Sequence, residues 1–107
     1  MKRNVIANAF SVNMLKGDSM LFFSQADLET VKHYISEGEI HSIVGHQSTA
    51  DLLSAKLGVK IELNRENYKK ERTDSLIVCL PSKRLDEGQV LSKEELEKID
   101  IKFWIID

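Results

Sequence analysis

Cysteine and proline are each used once in the 107 residues. A lone thiol, Cys79, excludes an internal disulfide framework and any zinc site built from several thiolates. One proline, with 42% hydrophobic and 30% charged residues, excludes a disordered, low-hydrophobicity tail. Charge of neither sign dominates: fifteen Lys and Arg against seventeen Asp and Glu leave a net −2. That excludes a generalised DNA coat, whose broad positive surface displaces counterions, but leaves room for one small basic pocket. The seven aromatics fall mostly in predicted strands, which counts against the stacking groove of a general RNase. No apolar run approaches the roughly 20 residues that span a bilayer. Met1-Lys2-Arg3-Asn4 is followed by no extended signal-type core, so a reducing cytoplasm is the expected location.

What is present reads as one domain, 1–107, without internal repeats or low-complexity stretches. Val5-Ile6-Ala7 with Ala9-Phe10 predicts a buried strand over 3–9, and Met20-Leu21-Phe22-Phe23 a second after the Gly17-Asp18 turn. Ser24 and Asp27 have N-cap and N3 spacing, predicting a helix from Ser24 whose apolar face carries Leu28, Val31 and Ile35 until Gly38. The short stretch from Ile40 to Gly45 leads into a second helix, with Ser48 and Asp51 as its cap pair, Leu52, Leu53 and Leu57 inside, and Gly58 as its stop. Val59-Lys60-Ile61-Glu62-Leu63 alternates as a half-exposed strand should. Asn64 to Asp74 is dense in charge, an expected loop or exposed ribbon. Leu76 to Leu80 is apolar on both faces, the pattern of a central strand. Ser92 with Glu95 opens a last helix through Lys98, and Phe103-Trp104-Ile105-Ile106 forms a final strand. The alternation predicts an α/β fold with a mixed, roughly five-stranded sheet flanked by helices.

Three places carry side chains suited to chemistry. Asn8, Ser11 and Asn13 follow the first strand, where open α/β sheets bind ligands; the same groups also serve turn backbones. Gly45-His46-Gln47-Ser48-Thr49 allows a tight turn before a helix, whose free N–H groups attract phosphate beside an imidazole able to pass a proton; a plain helix cap has the same appearance. Ser82 to Gly88 follows the central strand, with Arg84 as a fork for phosphate and Glu87 to orient either Arg84 or a histidine; an exposed ion pair is the alternative. Arg65 and the Lys69-Lys70 pair either fold over an anion or form a solvated face. His33 reads as solvent-facing and His41 as part of a turn, and the three histidines lack the close spacing of metal ligands. If the first strand and Leu76–Leu80 are parallel neighbours, these places converge into a site with amides, phosphate donors and a proton carrier. Such a site suits RNA phosphodiester cleavage by an adjacent 2′-hydroxyl.

At the same places the chain resembles the small viral ring nucleases that act as anti-CRISPR proteins against type III systems, and their cellular relatives. The similarity runs from Ala7-Asn8-Ala9-Phe10-Ser11-Val12-Asn13-Met14-Leu15 through Gly45-His46-Gln47-Ser48-Thr49 and Asn64-Arg65 to Arg84-Leu85-Asp86-Glu87-Gly88. The resemblance implies a homodimer that binds cyclic tetra-adenylate across its interface. It further implies cleavage to linear di-adenylates without a metal or cofactor, which silences the effectors that the ring activates, in the host cytoplasm if the gene is viral. It implies His46 as the acid for the departing 5′-oxygen, with Arg84 and Glu87 aiding phosphate charge and positioning. Asn8, Ser11 and Asn13 match the ligand-holding motif, Arg65 an arginine reaching over the ring, and Gly45, Ser48 and Thr49 the substrate-binding turn. Gln47 has no implied role. A cyclic ligand has its own symmetry, which a twofold dimer matches by presenting one patch twice. The alternatives are a non-catalytic binder that sequesters or senses the cyclic nucleotide, a protein-partner inhibitor, and a general metal-independent RNase.

Overall fold

The computed structural model of the chain describes residues 3–107. Met1 and Lys2, the start of the predicted domain and of the N-terminal stretch compared with a signal sequence, lie outside the described residues. Elements follow in the order β1 (Arg3–Ala7), a 3-10 turn (Val12–Met14), β2 (Phe23–Ala26), α1 (Leu28–Ser36), β3 (Glu39–Ser42), α2 (Gln47–Leu57), β4 (Asp74–Pro81), α3 (Lys93–Lys98) and β5 (Ile101–Ile106). The strands form one five-stranded sheet in the order β2-β5-β4-β1-β3. β1 runs parallel to β3 and β4, and β5 antiparallel to β4 and β2, so the mixed α/β sheet expected from the sequence is present. β4 is central because Asp74 to Cys79 are all buried and its apolar side chains alternate between two cores. Ile77 and Cys79 face α1 and α2 with Val31, Ile35, Leu53 and Leu57. Leu76 and Val78 face the other side with Val5, Ala7, Tyr68 and Ile106.

Several local expectations are corrected. Ser24 does not cap α1: it pairs with Ile105 in β2, which runs later than Met20–Phe23, and the chain turns only at Asp27. The Asp27 carboxylate accepts the Thr30 N–H at 2.8 Å, and hydrogen bonding from the Thr30 side chain, with that N–H, holds Asp27 below its ordinary value. Ser48 does not cap α2; it lies inside the helix, and His46 is the N-cap. Gly58, at φ 73°, ends α2 in the left-handed conformation. Val59–Leu63 forms no strand beyond an isolated bridge from Leu63 to Val44, because the Ile61 N–H donates to Ser54 Oγ (2.8 Å) instead of to a strand. His41 is not in a turn but in edge strand β3, with Nε2 2.6 Å from Glu66 Oε1. The predicted capping box of Ser92 and Glu95 is present with both bonds.

The sheet face away from the helices is covered by loops. Residues 64–73 form the expected loop, yet Tyr68 and Lys70 are buried in it. Asp74 is the reason. Its carboxylate, 2% exposed, accepts Arg3 Nε (3.0 Å) and Nη2 (2.9 Å), the Tyr68 hydroxyl and the Glu71 N–H (3.1 Å). Burial alone would raise Asp74, but these donors outweigh it and hold the carboxyl below its ordinary value. Tyr68 is pushed up by burial and by Asp74. The clamp ties the start of β1 to the start of β4 and fastens the loop over the second core.

Replacing Asp74 with Asn is expected to lower stability in urea by roughly 2–4 kcal/mol at pH 7, since four donors from three residues lose a charged acceptor. The folded-state value is depressed, so the wild-type advantage is complete above the ordinary value of 3.8 and disappears as pH falls below it. Urea midpoints of both proteins between pH 2 and 7 check this, and a pH-independent difference contradicts it.

Candidate functional site

The three parallel strands β4, β1 and β3 end at one edge of the sheet, and the chain leaving each end lines a common cleft of about 450 Å³. Asn8 comes from the exit of β1, His46 and Thr49 from the start of α2 beyond β3, Pro81 from the end of β4, and Lys83 to Glu87 from the loop after it. The convergence expected if β1 and β4 were parallel is therefore present.

His46 has an extended backbone (φ −136°, ψ 118°), and its ring closes the first turn of α2. Nδ1 accepts the Thr49 N–H at 3.3 Å and lies 3.0 Å from Thr49 Oγ1. Nε2 turns the other way, 3.3 Å from Glu87 Oε2. A cap acceptor at Nδ1 and a carboxylate at Nε2 place the proton of the neutral ring on Nε2. Glu87 thus orients the histidine and not Arg84. Both Glu87 oxygens also accept the Gln47 N–H, at 3.1 and 3.3 Å, so a carboxylate occupies the free amide at the helix start. Arg84 is exposed and makes no hydrogen bond or ion pair with the described residues, so its guanidinium stands ready for an anion.

The loop bearing Arg84 and Glu87 is held in two ways. Leu85 is buried with Leu52 and Ile99 in a small third core. Ser48, fully buried, donates its hydroxyl to the Asp86 carbonyl (2.5 Å) and also lies 3.3 Å from that of Gln89. Ser48 is thereby committed to the loop, and Thr49 to the imidazole. Gly45 takes no positive φ, which corrects the tight-turn expectation. A Cβ there would meet Arg65 Cγ at 3.1 Å, so the glycine admits Arg65, whose Nε donates to the Gly45 carbonyl (2.8 Å) and whose Nη2 is 3.9 Å from Glu87. Asn8 Oδ1 accepts the Gly45 N–H at 3.4 Å, joining the first and second places.

Ser11 and Asn13 do not line the cleft. Ser11 caps the 3-10 turn by accepting the Asn13 N–H, and the Asn13 carbonyl accepts from Lys69. Lys70 is buried and donates to the Glu71 carbonyl, so the lysine pair does not reach the site. Sequence reasoning gave no role to Lys83, which lines the cleft, and missed Leu85 as the loop anchor; the one signal was its place as an isolated apolar residue in a charged turn. Beside the cleft, sharing Asn8, lies an apolar groove of Phe10, Phe23, Val78, Leu80 and Trp104. Cys79 is fully buried, and burial pushes its thiol up, away from nucleophilic reactivity. Among the described residues no helix is long and apolar enough to cross a membrane.

Residues 4–103 match the profile of the STIV B116-like family. YddF of Bacillus subtilis (strain 168), an uncharacterised protein, is 33% identical over 76 residues, 71% of this chain and 68% of that one. ORF116 of Acidianus filamentous virus 1 is 30% identical over 95 residues, 88% of this chain and 82% of its own. B116 of Sulfolobus turreted icosahedral virus superposes with a TM-score of 0.77 at 29% identity, covering 97% of both chains.

Ser48→Ala is expected to cost roughly 0.5–1.5 kcal/mol, because it removes the hydrogen bond from the buried Ser48 hydroxyl to the Asp86 carbonyl. Amide exchange across residues 84–89 is expected to accelerate more than that of β4. Unchanged exchange in that loop contradicts the anchoring role.

Proposed function

The chain belongs to the STIV B116-like family, and from that premise we propose that it is a metal-independent ring nuclease. In this reading it binds cyclic tetra-adenylate and cuts it to linear di-adenylates, silencing the effectors of type III CRISPR defence. The observation that carries the reading is the meeting of two sequence-distant segments in one cleft: His46 Nε2 with the loop bearing Glu87 and Arg84, the latter without a partner among the described residues. The 2′-hydroxyl attacks the adjacent phosphorus and loses its proton to water, the bond to the 5′-oxygen breaks, and doubly protonated His46 gives its Nε2 proton to that oxygen, leaving a 2′,3′-cyclic phosphate and a neutral ring protonated on Nδ1. Arg84 neutralises the phosphoryl oxygens, and Glu87 holds the imidazole in line. Acid help contributes about 10²–10⁴-fold, and the alignment of the 2′-oxygen supplies the larger part of the acceleration. Asn8 and Arg65 hold the ring at the cleft, and Ser11 and Asn13, committed to the 3-10 turn, take no part in it.

A homodimer is part of the same proposal. A cleft of about 450 Å³ is the size of a site for a drug-sized molecule, enough for one linkage and its neighbours but not for a ring of four nucleotides. Two copies related by a twofold axis offer two such clefts to the two halves of the ring. Phe23 and Leu80, 48% and 40% exposed, adjoin the cleft through Asn8 and are the kind of apolar surface that a second copy covers.

The test is purified protein with cyclic tetra-adenylate in excess EDTA, with products followed by chromatography and mass. Linear di-adenylates are expected from the wild type, an intact ring from His46→Ala over the same period, and a roughly 10–100-fold slower reaction from Arg84→Ala. A ring that co-elutes uncut with the wild type turns the reading to a sponge or sensor. Neither binding nor cutting overturns it.

A further inference from the structure

We propose that Thr49 is a positioning residue for His46, holding the imidazole in the same place with and without its second proton; this rests on the ring-nuclease reading of His46. The observation is a paired contact on one nitrogen. Nδ1 faces both the Thr49 N–H, at 3.3 Å, and the Thr49 hydroxyl, at 3.0 Å. The backbone N–H can only donate, so it serves the neutral ring alone. The hydroxyl can donate or accept, and its hydrogen rotates without movement of a heavy atom. In the neutral ring it donates to the Nδ1 lone pair. Once the ring is doubly protonated, Nδ1–H needs an acceptor, and the same oxygen provides one.

The surroundings leave this task to Thr49. Its side chain is 6% exposed, so water has little access to stand in for the hydroxyl. Glu87 is on the opposite nitrogen, 3.3 Å from Nε2, and does not serve Nδ1. Giving up the Nε2 proton from the doubly protonated ring leaves Nδ1–H, and return to the resting Nε2–H tautomer bares the Nδ1 lone pair, so each turnover presents Thr49 with Nδ1 in both states. A ring that swung between them would move Nε2 relative to the 5′-oxygen, and misplacement by a fraction of an ångström slows proton transfer. This assignment differs from a substrate contact, the role that resemblance implies for the Gly-His-x-Ser-Thr turn. Thr49 acts on the imidazole and not on the ring.

The experiment is a double-mutant cycle in single-turnover cleavage, with Thr49→Val, Thr49→Ser and each combined with His46→Ala. Valine matches threonine in shape and keeps the backbone cap, so a melting temperature near the wild-type value is expected. Thr49→Val is expected to slow cleavage roughly 10- to 100-fold, the loss of one hydrogen bond to a charged group. Thr49→Ser is expected to restore most of the rate. In the His46→Ala background, Thr49→Val is expected to change neither the residual rate nor the affinity for cyclic tetra-adenylate. A loss of affinity in that background, or no rescue by serine, overturns the proposal in favour of direct substrate contact or plain packing. Should the wild type not cut the ring at all, nitrogen-15 NMR of the imidazole decides independently. Neutral His46 is expected as a single Nε2–H tautomer in the wild type and Thr49→Ser, and as a tautomer mixture in Thr49→Val. An Nδ1–H tautomer in the wild type, or a Thr49→Val spectrum unchanged from it, refutes the positioning role.

Discussion

The parallel pairing of β4, β1 and β3 is the constraint on which the rest of this structure depends. In a parallel set every strand ends at the same edge, so whatever follows each strand is delivered to one place. Ala7 pairs with Val78 and Ile6 with Ser42, which brings the exits of all three strands side by side. The opposite edge does the structural work. There Arg3 and Asp74 are register partners as well as an ion pair, so the clamp fixes the same alignment that positions the cleft. Stability and chemistry thus sit at the two ends of the same strands, and the register joins them.

The polar groups around the cleft fall into two kinds, and the division explains how a mildly acidic chain can hold an anionic ligand. Ser48, Thr49 and the side-chain oxygen of Asn8 are taken up by the protein itself: one fastens the loop, one the imidazole, one the Gly45 N–H. Arg84 is left without a partner among the described residues, and His46 presents Nε2 on the side of Glu87. Glu87 bridges the two kinds, on the first free amide of α2 and beside the imidazole at once. In the proposed reaction the phosphodiester would meet a few oriented donors, not a broad positive field, and preorganised donors carry most of the effect in sites of that kind.

Much of this was legible in the sequence where local chemistry and tertiary packing agree. β4 declared itself because Leu76 to Cys79 must be apolar on both faces, and the Ser92–Glu95 capping box is satisfied within one turn. The three segments of the site were legible because Asn, His and Arg at strand exits have few packing uses. The misreadings arise where tertiary structure chooses between local equals. Ser24 and Asp27 are both good caps, and pairing with β5 decides for Asp27. Ser48 is a better cap than His46 by propensity, yet burial against the Asp86 loop claims it. The alternation of Val59 to Leu63 records the burial of Ile61 beneath Ser54, not a strand. Gly45 looked like a turn glycine, and only the position of Arg65 shows what it makes room for.

The most direct measurement is the stoichiometry of binding, by native mass spectrometry of His46→Ala with cyclic tetra-adenylate. Two half-clefts closing on one symmetric ring predict a single species of two chains and one ring, with no chain binding a ring alone. One ring on each single chain, or no bound ring at all, would contradict the account at its centre.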